Sequence, residues 1–275
     1  MNRPPDPARL RRIRLIATDL DGTLLRGDGT ISARTRATLA RIRAAGLTLV
    51  AVTARPPRFV RRLAAAEGLV GLAICCNGAL VYDLDVGTVV GHTPLVGDTA
   101  ARLVTALRTA VPGVCFAAEA GERYGWEATY AALDGALVEP GGLTRDALAL
   151  CAAPVTKLIV RHPSIGADAL LPLVRALAGA AASATHSGAP FVEVMAPGIQ
   201  KAVALAALCA DLAVAADETV AFGDMPNDLP LLAWAGYAVA VANAHPEVLG
   251  AADEITRTND DDGVAVVLER LLPMR

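Results

Sequence analysis

The chain has 275 residues, 54% of them hydrophobic and 19% charged, with a formal net charge of −3. That balance fits a packed globular protein and excludes a disordered one. Without a basic excess there is no electrostatic footprint for nucleic acid. No apolar run is long enough to span a bilayer, so neither nucleic acid nor membrane is an expected partner, and no protein partner is evident.

Residues 1–20 hold prolines and arginines but no apolar stretch ending in a small-residue cleavage site, so no secretory leader is expected. Arg14–Thr18 then reads as a strand. Ser32 caps a helix that runs to Ala44, and Gly46 stops it. Leu47–Val52 is a second strand ending at Thr53. Pro57–Glu67 is helical, with proline in its first turn. Ala73–Cys76 is a third short apolar run, ending at Asn77-Gly78. Continuous apolar strands separated by helices predict a parallel sheet covered on both faces.

The character changes near Asp83. Short strand-like pieces follow at Gly87–Val90, Gly113–Ala118, Val155–Arg161 and Ala182–Thr185, with helices over Asp98–Ala110 and Ile165–Leu177. This pattern predicts an α+β domain, residues 84–190, inserted into an α/β domain made of residues 1–83 and 191–275. The first pattern then returns: a helix over Ile199–Leu212, a strand at Thr219–Phe222, a helix over Asn227–Ala235, a strand at Tyr237–Val241 and a last helix over Gly263–Leu272. Five scattered cysteines, Cys75, Cys76, Cys115, Cys151 and Cys209, make no disulfide framework and no CxxC pair. Buried thiols in a reducing cytoplasm are the expectation.

The first strand leads into DLDGTL, with Asp19 and Asp21 one residue apart. An Asp-Gly turn accounts for Asp21-Gly22 but not for Asp19, which belongs to the strand end, where a charge is costly unless compensated. In an open parallel sheet the carboxyl ends of the strands are also where ligands bind. Other strands end at Thr53, at Asn77-Gly78 and in GDMPND, which supplies Asp224, Asn227 and Asp228; Lys201 lies in the first turn of a helix. Each has a bland reading: a capping hydroxyl, a turn, a solvated lysine. Gathered at one sheet edge, they suit phosphoryl transfer. Clustered carboxylates bind Mg²⁺. A carboxylate can attack phosphorus to form an acyl-phosphate, and a second acid can move protons. A cation, an ammonium, a hydroxyl and N–H groups can hold the charge of the phosphoryl group in transit.

DLDGTL, VTAR, Lys201 and GDMPND, in this order, resemble the four motifs of the haloacid dehalogenase-like hydrolase superfamily. The insertion between Thr53 and Lys201, with the NGA at Asn77–Ala79, resembles its Cof-type branch, which includes sugar-phosphate phosphatases. The resemblance implies a Rossmann-like core with an inserted α+β cap that closes over the site. It implies Asp19 as nucleophile and Mg²⁺ ligand, and Asp21 as general acid/base that also binds Mg²⁺ through its backbone carbonyl. Thr53, Lys201 and Asn227 would hold the phosphoryl group, with N–H groups of Leu20 and Ala54. Asp224 would be the third Mg²⁺ ligand, and Asp228 would support the metal or Lys201 from behind. The chain departs from the family pattern at Ala54, where Gly is frequent, and at Gln200, where a small or hydroxyl residue is common. The implied activity is Mg²⁺-dependent hydrolysis of a small phosphorylated metabolite, such as a sugar phosphate. A phosphomutase or a specialised glycosyl-phosphate phosphatase of the same superfamily is one alternative, and a non-catalytic regulatory protein that binds a phosphate ligand is the other.

Of the remaining polar residues, Asp28 reads as a turn residue and Asp260-Asp261-Asp262 as a solvated helix start. His92, His162, His186 and His245 are dispersed, with His186 the one placed to approach substrate. Tyr124 and Trp126 suit either the inner face of the cap or packing.

Overall fold

In the computed structural model, which describes residues 7–136 and 138–272, the chain divides into two units, residues 1–90 with 200–275 and residues 91–199. Residues 1–6, part of the stretch read as lacking a leader, lie outside the described residues.

The first unit is built on β1 (Leu15–Thr18), β2 (Thr48–Val52), β3 (Leu72–Cys75), β4 (Leu80–Asp83) and the start of β5 (Thr88–His92), whose last two residues begin the second unit. All four residues of β1 are buried, so it reads as an unbroken apolar run rather than an alternating one. β3 does not simply end at Asn77-Gly78. Cys76, Asn77 and Gly78 have φ of 50°, 56° and 107°, and this left-handed run turns the chain back so that β4 pairs antiparallel with β3.

The second unit carries β6 (Cys115–Ala120), β7 (Arg123–Trp126), β8 (Leu143–Thr144), β9 (Lys157–Arg161), β10 (Ser183–Thr185) and β11 (Val192–Met195). They form one sheet in the order β10-β11-β9-β6-β7-β8, antiparallel except where β8 joins β7. Leu103, Val104 and Leu107 of the helix Gly97–Ala110, with Leu170 and Val174 of the helix Ala167–Ala178, pack on Phe116, Leu158, Val160, Val192 and Val194. A smaller cluster joins Trp126, Tyr130, Ile159 and Phe191, with Tyr124 packed against it. The two rings of Tyr124 and Trp126 lie 5.1 Å apart. They are packing anchors within this unit.

β12 (Thr219–Gly223), β13 (Tyr237–Ala240) and β14 (Glu254–Ile255) return to the first sheet, whose order is β14-β13-β12-β1-β2-β3-β4-β5. β1 therefore sits centrally, parallel to both β12 and β2, with Thr18 level with Phe222 and Ala51. Ser32 caps the helix Ala33–Ala44, its hydroxyl accepting from Thr35 N at 3.0 Å. The helix expected from Asn227 begins at Leu229, because Pro226–Asp228 first makes a tight turn. The acidic triplet before the last helix is more than a solvated start. Asp260 accepts from Gly27 N at 2.9 Å and Asp262 from Thr35 Oγ1 at 3.2 Å, tying that helix to the segment after β1.

Candidate active site

Parallel neighbours in register end at the same sheet edge, so Asp19, Thr53 and Asp224, each just past its strand, are brought together there. Asp19 N donates to Phe222 O at 3.0 Å, and Thr53 N to Ile74 O at 2.8 Å. These bonds continue the ladders one step beyond the strands and fix where the two side chains start. One carboxylate oxygen each of Asp19, Asp224 and Asp228 lies within 4.8 Å of the other two, and all three residues are buried.

Lys201, at the first position of the helix Lys201–Asp211, is 2% exposed rather than solvated. Its Nζ donates to Asp19 Oδ1 at 2.8 Å and to Asp228 Oδ1 at 2.7 Å. The other oxygen of Asp228 accepts from the N–H groups of Asp224 and Met225, at 3.2 and 3.1 Å. Asp228 thus links the ammonium to the turn that carries Asp224. Thr23 donates its hydroxyl to Asp224 Oδ1 at 2.7 Å. A side chain at Gly22, whose φ is 75°, would put a Cβ 2.5 Å from Asp224 Oδ2. Glycine is what allows the turn after Asp21 to pass so close to that carboxylate.

Asp21 does not join the acid cluster. Its carboxylate is held by Arg55, Nε to Oδ2 and Nη2 to Oδ1, both at 2.9 Å. The turn that follows it is stapled from outside: Asn243 donates to Gly22 O at 2.8 Å, and Asn259 to Leu25 O at 2.8 Å. Thr53 Oγ1 accepts from Arg55 N at 3.0 Å, which leaves its own proton to donate. Asn227 donates to Asn77 Oδ1 at 3.2 Å, while its Oδ1 is buried with no hydrogen-bond partner among the described residues. Asn77 shapes its turn and also orients Asn227. Leu20 and Ala54 follow Asp19 and Thr53 in the chain, so their N–H groups lie at the same sheet edge.

Three carboxylates against the Lys201 ammonium leave an excess of negative charge in a buried space. Burial pushes the Asp19 carboxyl well above its usual range, against the pull of Lys201, with Asp228 and Asp224 adding to the rise. Burial also lifts Asp224, to about 6, although the Thr23 hydrogen bond opposes it. Burial alone would lower Lys201, but Asp19 and Asp228 outweigh it and hold the ammonium above its ordinary value. A hard divalent cation with carboxylate oxygen ligands relieves such an excess, so the donor set fits one.

Arg55, Thr23, Asn243 and Asn259 were not among the residues singled out in the sequence. Arg55 carried a signal, since it stands two residues past Thr53 in VTARP. The amides carried none, because their partners lie 221 and 234 residues away. Three of the histidines have local partners: His92 meets Thr156 at 2.9 Å, His245 caps the helix Pro246–Ala251, and His186 lies 3.1 Å from Asp168. Asp28 accepts from Thr30 and closes its turn.

The model of the haloacid dehalogenase-like hydrolase family matches residues 16–268. The chain is 29% identical to a 5-amino-6-(5-phospho-D-ribitylamino)uracil phosphatase of Bacillus subtilis over 93% of its own length and 96% of the relative's. A haloacid dehalogenase-like hydrolase from Bacteroides thetaiotaomicron superposes with a TM-score of 0.76 at 28% identity, over 94% of this chain and 99% of that one. A phosphatase of the superfamily from the same organism shares the fold, with a TM-score of 0.82 at 24% identity over 98% of both chains. With its motifs at the ends of β1, β2 and β12 and the family match running through both units, the chain belongs to the haloacid dehalogenase-like hydrolases, in their Cof-type branch.

Proposed function

We propose that the chain hydrolyses a small phosphomonoester through an aspartyl-phosphate on Asp19. It is a phosphoric monoester hydrolase, and the observation that carries the mechanism is the buried bridge of Lys201 between Asp19 and Asp228, at 2.8 and 2.7 Å, beside Asp224. The bridge fixes Asp19 at the strand end while keeping an ammonium next to the oxygens on which negative charge develops.

In the first step a carboxylate oxygen of Asp19 forms a bond to phosphorus as the ester P–O bond breaks. Asp21 gives its proton to the leaving oxygen. In the second, Asp21 takes a proton from water as the water oxygen bonds to phosphorus, the aspartyl P–O bond breaks and Asp19 is regenerated. Lys201, the Thr53 hydroxyl, the Asn227 amide and the N–H groups of Leu20 and Ala54 hold the phosphoryl oxygens. Asp19, Asp224 and the backbone carbonyl of Asp21 would hold Mg²⁺, with Asp228 supporting Lys201. The ion, when bound, neutralises carboxylate charge and polarises the phosphoryl group.

The substrate is a small phosphorylated metabolite, of sugar-phosphate type. The Bacillus subtilis relative, named for a phosphorylated ribityl compound, supports that class. The second unit is the cap that selects the leaving group. Five buried thiols suit the reducing cytoplasm, and among the described residues no helix is long and apolar enough to cross a membrane.

The test is Asp19→Asn with hydrolysis followed in labelled water. The variant should lose at least roughly a thousandfold in kcat and keep its fold by circular dichroism. The wild type should place one label from water in the released phosphate. Substantial turnover by the variant overturns the nucleophile. Phosphate transferred to a second sugar hydroxyl, without label uptake, would make the chain a mutase.

A further inference from the structure

Asp21 and Arg55 approach each other from separate turns of the first unit, one after β1 and one after β2. The pair has the full fork geometry, two parallel N–H···O bonds at 2.9 Å. Arg55 is itself fixed from three sides. Its guanidinium lies 4.2 Å from the centre of the Phe59 ring. Its N–H is tied to Thr53 Oγ1 at 3.0 Å, and its carbonyl accepts from Cys76 N at 3.0 Å. The side chains of Arg55 and Asp21 are 37% and 47% exposed, and an ion pair that open adds little to stability. What a rigid fork supplies here is direction. A carboxylate on a turn followed by a glycine has little else to choose its rotamer. A proton donor must come within about 3 Å of the oxygen it serves.

We propose that Arg55 is the positioning residue for Asp21. It aims the carboxylate by covering one lone pair on each oxygen, and the remaining lone pairs stay available to carry the transferred proton. Through its main-chain bond to Thr53, Arg55 also keeps the proton-transfer group in register with the phosphate-holding hydroxyl. Lysine cannot replace it, because a point charge has no fork. The inference rests on the reading of Asp19 and Asp21 given above.

The experiment compares Arg55→Met and Arg55→Lys with the wild type on two esters. One is para-nitrophenyl phosphate, whose leaving group departs without much help from an acid. The other is an alkyl phosphate that the wild type hydrolyses. First-turnover rates isolate the phosphorylation step, and thermal melting checks the fold. Both variants should lose roughly ten- to hundredfold on the alkyl ester, in rate rather than in KM. The loss on the aryl ester should be much smaller. Phe59→Leu, which removes only the ring beneath the guanidinium, should give a weaker version of the same split and keeps the test open if Arg55→Met fails to fold. Equal losses on the two esters, no loss, or a loss confined to KM would overturn the assignment. Should Asp19→Asn stay active, the phosphatase reading itself fails. Should it be inactive while the Arg55 variants treat both esters alike, only the positioning role fails.

Discussion

Asp224 carries the electrostatic argument in its simplest form. Burial lifts its carboxyl from an ordinary value of 3.8 to about 6. Between those two values the folded chain binds more protons than the unfolded one, so this residue's contribution to stability falls as pH rises through that window and stays low above it. In chelator, therefore, the melting temperature of the wild type should decline relative to that of Asp224→Asn as pH rises from 3.8 to about 6, and level off above that. Millimolar Mg²⁺ at pH 7.5 should raise the wild-type melting temperature and leave the variant nearly unmoved. A wild type that ignores the ion would remove Asp224 from the cation site, and one that tracks the variant across the pH range would overturn the raised carboxyl. The identity of these acids was legible in the sequence because strand ends and an Asp spacing carry their own signal. Most of the partners were not. The resemblance already pointed Asp228 toward Lys201, but nothing in the spelling of the chain says that Asp21 turns to Arg55 or Thr23 to Asp224, because those meetings depend on where separate turns come to rest.

At the scale of elements, long helices and doubly buried strands were readable to within a residue or two. Ser32 caps a helix by the hydrogen bond its hydroxyl predicts, and Gly68, at φ 72°, ends the helix Pro57–Glu67. Short pieces escaped: β4, β7, β8, β11 and β14 are two to four residues each and too brief to show a period. The missed β4 matters most, since the left-handed turn that produces it also meets the helix bearing Lys201. A Cβ on Gly78, at φ 107°, would lie 2.6 Å from Gln200 O and 3.1 Å from Ala204 Cβ. Gly78→Ala should therefore cost about 2 to 4 kcal/mol in denaturant unfolding. It should also lower kcat, because the start of the helix must shift and Lys201 shifts with it. Gly46→Ala is the control. Its φ of 78° also lies where alanine is strained, but nothing lies within 4 Å of the added carbon. It should cost about 1 kcal/mol and leave kcat alone. A fall in kcat of the same size in both variants would mean that the Gly78 turn does not position the lysine.

Across the whole molecule, the two sheets differ in construction, the first mostly parallel and the second mostly antiparallel, and the composition changes near Asp83. The first sheet, however, runs on through β4 and β5, so composition alone could not locate where one unit ends. Each unit has its own sheet and its own apolar packing, and the cysteines sort between them: Cys75, Cys76 and Cys209 in the first, Cys115 and Cys151 in the second, all buried. Burial in apolar surroundings pushes the thiols of Cys115 and Cys151 up to about 11, with Glu127 and Asp146 respectively adding to the rise. Neither should react with iodoacetamide at pH 8 while its unit is folded, because the thiolate is the reactive form. Alkylation in rising urea then reports opening unit by unit. Cys115 and Cys151 should become reactive together, at one midpoint, since the packing of the second unit is lost cooperatively. Cys75, Cys76 and Cys209 should follow a midpoint of their own, which Mg²⁺ raises because the acid cluster belongs to the first unit. If all five thiols were exposed along a single curve that shifts as a whole with the ion, the two units would unfold as one body.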